Sequence, residues 1–258
     1  MPRRRSFAER YLEPLAAPGL AFLVLCVWQA AVPFFGLSEF VLPTPWQIAK
    51  RMVSDFPLLM ANGYVTLIEV LAGFAFAILG GVPTALAIFY SRPFERAVYP
   101  LLIALQTVPK IVLAPLLVLY MGYGWAPKIF LAFLIAYFPI VISTVVGLQT
   151  LEPAMVNLVR SMGASEAQTF WKIRLPAALP SIFGGLKVAI ALAVIGAVIG
   201  EYVAAERGLG YLQLQANAKF DTALNFASVV MVSLIGVLLY SAVMFFERRL
   251  VYRREAAV

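Results

Sequence analysis

The stretch QTLEPAMVNLVRSMGASEAQTFWKIRLPAALP, residues 149–180, does not read as membrane, yet it lies between two segments that do. Leu148, Leu151, Met155, Leu158 or Val159, and Met162 follow an i, i+3, i+7, i+10/11, i+14 series, so one face of a helix is apolar. Gly163 breaks that helix, and small residues follow it. A second short helical piece is expected to end at Ile173, Leu175 and Pro176. Helix, glycine turn, helix, proline stop describes a rigid protrusion rather than a slack connector. On a membrane protein such a protrusion reads as a docking element.

The flanking segments fix the class. Of 258 residues, 62% are hydrophobic, and several apolar runs of about 20 residues are each long enough to cross the hydrocarbon core as a helix. Short alternating segments of the outer-membrane barrel type are absent. The reading is an all-α integral membrane protein. The net charge of +7 does not point to nucleic acid, because the basic residues cluster beside the apolar runs. The single cysteine, Cys26, lies in the first run, so no intrachain disulfide can form. With no histidine, His-based general bases, zinc triads and haem ligation are excluded. No G-x-x-x-x-G-K-[ST] pattern occurs, so no phosphate loop of that type is present.

Six spans are expected, at about 18–35, 63–90, 97–121, 128–148, 182–204 and 226–246, within one membrane domain covering 1–258. Residues 36–62 read as a long polar connection, 91–96 (SRPFER) as a tight charged turn, and 205–225 as a further connection. The start MPRRRSFAER resembles a secretory signal, but five further runs follow, and a first helix anchored by cytoplasmic arginines fits better. Lysine and arginine set the orientation. Fourteen lie on the side of the two termini and of residues 149–181; Lys50, Arg51, Lys128, Arg207 and Lys219 lie on the other. The bias puts both termini and that segment in the cytoplasm.

Three ionisable groups fall inside apolar runs: Glu69, Lys110 and Glu201. An ion at the bilayer centre costs about 2.5–3.5 kcal/mol on insertion scales, so such groups face protein or water. Glu69 and Glu201 sit toward the outer ends of their runs, where they either reach headgroup level or border a translocation path. Lys110 is mid-run among Pro100, Pro109 and Pro115, where irregular backbone is tolerated only beside protein or a water-filled cavity. It either lines a path that favours anions, pairs with Glu69 or Glu201, or snorkels. Gly196 and Gly200 form a G-x-x-x-G suited to close helix packing within the chain. Gly80, Gly81 and Pro83 are expected to kink the second span.

Gly163, nine residues, then Ile173-Arg174-Leu175-Pro176 resembles the cytoplasmic motif E-A-A-x3-G-x9-I-x-L-P of permease subunits of binding-protein-dependent ATP-binding cassette importers. The E-A-A positions fall on Asn157-Leu158-Val159, a departure from the pattern at its acidic residue. VLPTP, LQTVPKIVLAPL, RSMGAS, IRLPAALPSIFGGLKVA and GLGYL extend the resemblance over nearly the whole chain. They resemble the nitrate/sulfonate/taurine branch, which includes relatives for pyrimidine thiamine precursors and riboflavin. The resemblance implies a type I importer permease fold in a bacterial inner membrane. It implies as partners a second permease copy, two cytoplasmic ATPase subunits and an external solute-binding protein. This chain would bind no cofactor; ATP and Mg would be used by the partner ATPase. Asn157, Arg160, Ser161, Gly163, Ala164, Ser165, Glu166, Ile173, Leu175 and Pro176 would form the ATPase contact, with Glu69, Lys110 and Glu201 candidates for the path. An ion-coupled secondary transporter or channel is the competing class; it would use Lys110, Glu69 and the broken third span but leaves the I-x-L-P segment unexplained.

Overall fold

The computed structural model describes residues 7–204 and 206–252, with side chains from 18 to 251. The arginines of residues 1–6 and the last part of the basic tail, 253–258, lie outside the described residues. Every regular element among the described residues is helical: α1 (Phe7–Phe34), α2 (Pro45–Ser54), α3 (Phe56–Tyr90), α4 (Arg92–Thr107), α5 (Lys110–Met121), α6 (Trp125–Gln149), α7 (Pro153–Ser161), α8 (Glu166–Thr169), α9 (Leu175–Ala204), α10 (Leu209–Ala218) and α11 (Thr222–Glu247). Four stretches are long and apolar enough to span a bilayer: α3, α6, α11, and the continuous helix Glu166–Ala204 that contains α8 and α9. The pair α4–α5 makes a fifth if its 97° bend is one broken span, and α1 carries a shorter apolar stretch, Pro18–Phe34.

The core forms where small residues let helices touch. Helix α6 lies between α3 and α9. A Cβ on Gly196 would stand 2.7 Å from the Ala132 Cα, and one on Gly200 would stand 2.8 Å from the Lys128 Cα. The G-x-x-x-G therefore packs α9 backbone against α6 within this chain, as its spacing suggests. Val70, Ala132, Ala136, Ile140, Ala189, Ile190 and Ala193 fill the seam, all 1% exposed or less. A second cluster joins α2, α3, α10 and α11 through Ile48, Leu59, Leu209, Leu212, Leu224 and Ala227.

Several sequence expectations are corrected. The polar connection 36–62 contains α2 and the start of α3. Thr44 caps α2 in a reciprocal box with Gln47: the Gln47 N–H donates to Thr44 Oγ1 (3.2 Å), and the Thr44 N–H donates to Gln47 Oε1 (2.8 Å). The turn 91–96 shrinks to Ser91, whose Oγ accepts from the Phe94 N–H while Pro93 occupies the first turn of α4. The connection 205–225 contains α10. The third span is not one helix: Pro109 has no N–H to donate and biases Val108 to extended backbone (ψ 126°), so the chain turns between α4 and α5. Helix α3 runs through Pro83 as a single element, and Gly81 serves contact with α6, with Ile140 Cγ2 3.0 Å from where its Cβ would be.

The proline stop at Pro176 is also corrected. Residues Phe170–Arg174 form a π-helical turn, and the Leu175 N–H donates to Phe170 O, one residue further back than in an α-helix. The wider turn absorbs the Pro176 ring, and the helix continues through Pro180 to Ala204. The protrusion is thus joined rigidly to a membrane helix rather than separated from it.

Candidate functional site

Two places carry unusual chemistry. The first is the segment 149–181. Helix α7 ends in a Schellman motif: the Ala164 N–H donates to Val159 O (3.3 Å) and the Gly163 N–H to Arg160 O (2.9 Å). That motif needs a left-handed residue, and Gly163 has φ +86°. A Cβ there would meet nothing within 4 Å, so the glycine also presents bare backbone outward. Ser165 then caps α8 in a second reciprocal box with Gln168, and Arg160 pairs with Glu166 across the turn.

The segment is anchored from beneath. Val156 and Thr169 are buried. The Phe170 ring lies 6.1 Å from that of Tyr90, and the Arg174 guanidinium sits 4.9 Å from the Phe89 ring centre, so the π turn grips the end of α3. The predicted apolar series is not one helix face: Leu148 is buried near the end of α6 and Leu151 lies in the break before α7, while Met155 is 49% exposed, Leu158 57% and, at the end of α7, Met162 79%. Asn157, Arg160, Ser161, Gly163, Ser165 and Glu166 are exposed around them, Ala164 is half-buried in the turn between α7 and α8, and Ile173, Leu175 and Pro176 are half-buried at the base, where the segment joins the span.

The second place is a buried polar cluster at the opposite end of the bundle. Glu69 of α3 and Lys128 of α6 form an ion pair with side chains 0% and 5% exposed. Beside them Glu201 of α9, 1% exposed, accepts from Thr66 Oγ1 (2.6 Å) and from the Gly210 N–H. The Leu209 N–H donates to Thr66 Oγ1 and the Gly208 N–H to Asn62 Oδ1, each at 2.9 Å. The start of α10 thus covers the Glu201 carboxyl group, which meets the Gly210 N–H in the first turn of that helix. Gly208 and Gly210 are what admit it: a Cβ on Gly210 would lie 2.8 Å from Glu201 Oε2. A recess of about 390 Å³, lined by Val65, Tyr123, Trp125, Glu206 and Arg207, opens onto Lys128, whose ammonium also sits 5.4 Å from the Trp125 ring centre.

The placement answers the sequence alternatives in part. Glu69 and Glu201 are both sealed in protein, 0% and 1% exposed. Lys110 pairs with neither. It is the first residue of α5, donates from Nζ to Gln106 O (2.8 Å), and lies 5.1 Å from the Phe138 ring centre. Phe138 is ten residues along α6 from Lys128, about 15 Å at helical rise, so Lys110 and the cluster are separate features. Lys128, read from sequence as a flanking charge, is the residue that was missed.

Residues 77–255 match the family model described as the binding-protein-dependent transport system inner membrane component. A formylaminopyrimidine transport permease protein of Halalkalibacterium halodurans is 38% identical over 88% of this chain and 91% of its own length. A riboflavin transport system permease protein of Chloroflexus aurantiacus is 35% identical over 99% and 96%. Among solved structures, a chain of the methionine ATP-binding cassette transporter MetNI in an inward-facing conformation superposes with TM-score 0.67 at 20% identity, covering 76% of this chain and 98% of that one; that likeness shows the fold.

Proposed function

The chain belongs to the family of inner membrane components of binding-protein-dependent transport systems, and from that premise we propose how it works as the permease subunit of an ATP-binding cassette importer. The observation that carries the reading is the open apolar face of α7 on a helix pair fixed to α3 and continuous with α9. Met155, Leu158 and Met162 enter a groove of a cytoplasmic ATPase subunit. Asn157, Arg160, Ser161, Gly163, Ala164, Ser165 and Glu166 make or rim the contact, and Ile173, Leu175 and Pro176 hold the segment to the span. Asn157 stands where the family motif has an acid, so its contact is polar rather than ionic. Closure of two ATPase subunits then moves α7, α8, the π turn and α9 as one body, which tilts the bundle and exposes the path alternately to each side.

The topology that fits is six spans in one domain, 1–258: α1, α3, the bent pair α4–α5, α6, the helix 166–204, and α11. The basic ends of the 166–204 helix and α11 favour a cytoplasmic position for 149–181 and both termini, in a bacterial inner membrane. ATP and Mg belong to the partner; this chain performs no bond chemistry and binds no cofactor. A second copy covers apolar surface left open on α5, where Ile111, Val112, Leu119 and Tyr120 are 63–82% exposed. A solute-binding protein delivers cargo from outside. Lys110, at the break between α4 and α5, lines the path and favours an anionic solute such as a sulfonate, taurine or nitrate. The relatives' names add pyrimidine precursors and riboflavin-like molecules as candidate cargo. Glu69 and Glu201, sealed as they are, hold the outer end of the bundle together.

The test is a cross-link. Met162→Cys should form a disulfide with a cysteine placed in the groove of the cognate ATPase subunit, and nucleotide should alter its yield. No cross-link from position 162, with efficient cross-linking from an outer position such as Phe40→Cys, would overturn the assignment of both site and side.

A further inference from the structure

The recess that opens onto Lys128 has features that helix packing alone does not require. Its volume of about 390 Å³ falls among those of sites that hold small molecules. Gly122 (φ +76°) and Gly124 (φ +125°) turn the chain sharply between α5 and α6. The residues around that turn, Tyr123 and Trp125, both line the recess. Neither ring is covered by the rest of the chain: Tyr123 is 78% exposed and Trp125 46%.

Lys128 supplies the polar side of the recess. Its side chain is 5% exposed, and among the described residues Glu69 is the one carboxylate within 4.0 Å of its ammonium. The Trp125 ring centre lies 5.4 Å from that ammonium. An ammonium carries three N–H donors, so donors remain for an acceptor placed in the recess. On the rim, Glu206 and Arg207 are neighbours of opposite sign, both exposed. Lys128 is balanced by Glu69 and Arg207 by Glu206, so the lining presents an anion with no net positive charge.

What the recess does present is two aromatic rings, a donor in Lys128 and an acceptor in Glu206. That set suits a flat, neutral ring whose edge carries both an acceptor and a donor. We propose that the recess binds an amino-substituted nitrogen heterocycle. The ring stacks on Trp125, a ring nitrogen or carbonyl accepts from the Lys128 ammonium, and the amino group donates to Glu206. This deepens the permease reading given under Proposed function, on which it rests, and narrows the candidate cargo named there. Lys110 lies outside the recess, so a cargo that meets both carries an anionic group as well as the ring. An interfacial belt accounts for exposed tyrosine and tryptophan. It does not account for a sealed ammonium with donors to spare beside them.

The experiment is equilibrium dialysis of radiolabelled 4-aminopyrimidine against the full chain in lipid nanodiscs, without ATPase. Saturable binding is expected. Trp125→Ala should weaken it about tenfold, the size of a lost stacking partner for a base, and Trp125→Phe should retain most of it. Glu206→Ala should weaken binding of 4-aminopyrimidine but not of unsubstituted pyrimidine, which has no amino group to donate. The double variant Lys128→Met/Glu69→Leu, its fold checked by circular dichroism, should lose binding of both. Taurine in excess should not displace the probe. No saturable binding, binding unchanged in Trp125→Ala, or displacement by taurine overturns the proposal. Binding in detergent that vanishes in nanodiscs assigns the recess to lipid headgroups and overturns it too. A chain that assembles with its ATPase and supports ATP-driven uptake yet binds no probe sinks this inference alone; failure to assemble with the ATPase sinks the permease reading beneath it.

Discussion

Replacing Lys128 by methionine strips the paired cation from a site where the carboxyl groups of Glu69 and Glu201 are both buried. In the native protein the Lys128 side chain is 5% exposed and that of Glu69 0%, so neither charge is relieved by bulk water. Removing one partner of such a pair costs about 3–5 kcal/mol, because the other is left buried and unpaired. At about 1.4 kcal/mol per decade that is two to four orders of magnitude in the folding equilibrium. Glu201 does not rescue Glu69, since it brings no cation and its oxygens are already met by Thr66 and Gly210. The double variant Lys128→Met/Glu69→Leu removes both charges and should recover to within about 1–2 kcal/mol of wild type, as buried pairs replaced by apolar groups commonly do. The assay is denaturant unfolding of the protein in detergent micelles, followed by far-ultraviolet circular dichroism of the helices. A single variant within 1 kcal/mol of wild type, or a double variant as unstable as the single, would refute the pairing as the bond that closes this end of the bundle.

Gly163→Trp should abolish ATP-dependent uptake while the protein still inserts, whereas Gly163→Asn, which tolerates left-handed backbone, should keep most activity; this is read by uptake against immunodetected protein in membranes. Gly196→Leu drives a side chain into α6 backbone, with Ala132 Cα 2.7 Å from the new Cβ, and should destabilise by about 3 kcal/mol or more, seen as a lower melting temperature and yield. Lys110→Met should reduce uptake of an anionic solute more than tenfold with folded protein unchanged, because its ammonium is tied only to a carbonyl and a ring face; equal loss of folded protein would assign it a structural role instead.

The long helices were legible because apolar runs of bilayer length have one outcome in a membrane. The apolar stripe of α7 and the break at Gly163 were legible too, since both are local. What the sequence concealed was mostly non-local or local but weak. Helix α2 announced itself by Thr44, Pro45 and Gln47, a capping box lost inside a stretch dominated by prolines. Pro176 read as a stop because a standard α-helix cannot pass it so easily; the π turn ahead of it depends on Phe170 and Arg174 packing on α3. Lys128 read as a flanking charge because it is the first residue of its expected span, 128–148, although α6 begins a turn earlier at Trp125. Its partner is 59 residues away, and only the three-dimensional seam of α3 and α6 joins them. The GLGYL stretch was recognisable as a family feature, but its physical purpose, two glycines admitting the Glu201 carboxyl group to the Gly210 N–H, required the folded chain.

Uptake into proteoliposomes separates the account from its rival most directly. The chain reconstituted with its ATPase subunits, lumenal ATP and external solute-loaded binding protein should accumulate solute, and omission of ATP, ATPase or binding protein should each abolish it. Accumulation by this chain alone, driven by an ion gradient without ATPase, would make it a secondary transporter and contradict the account.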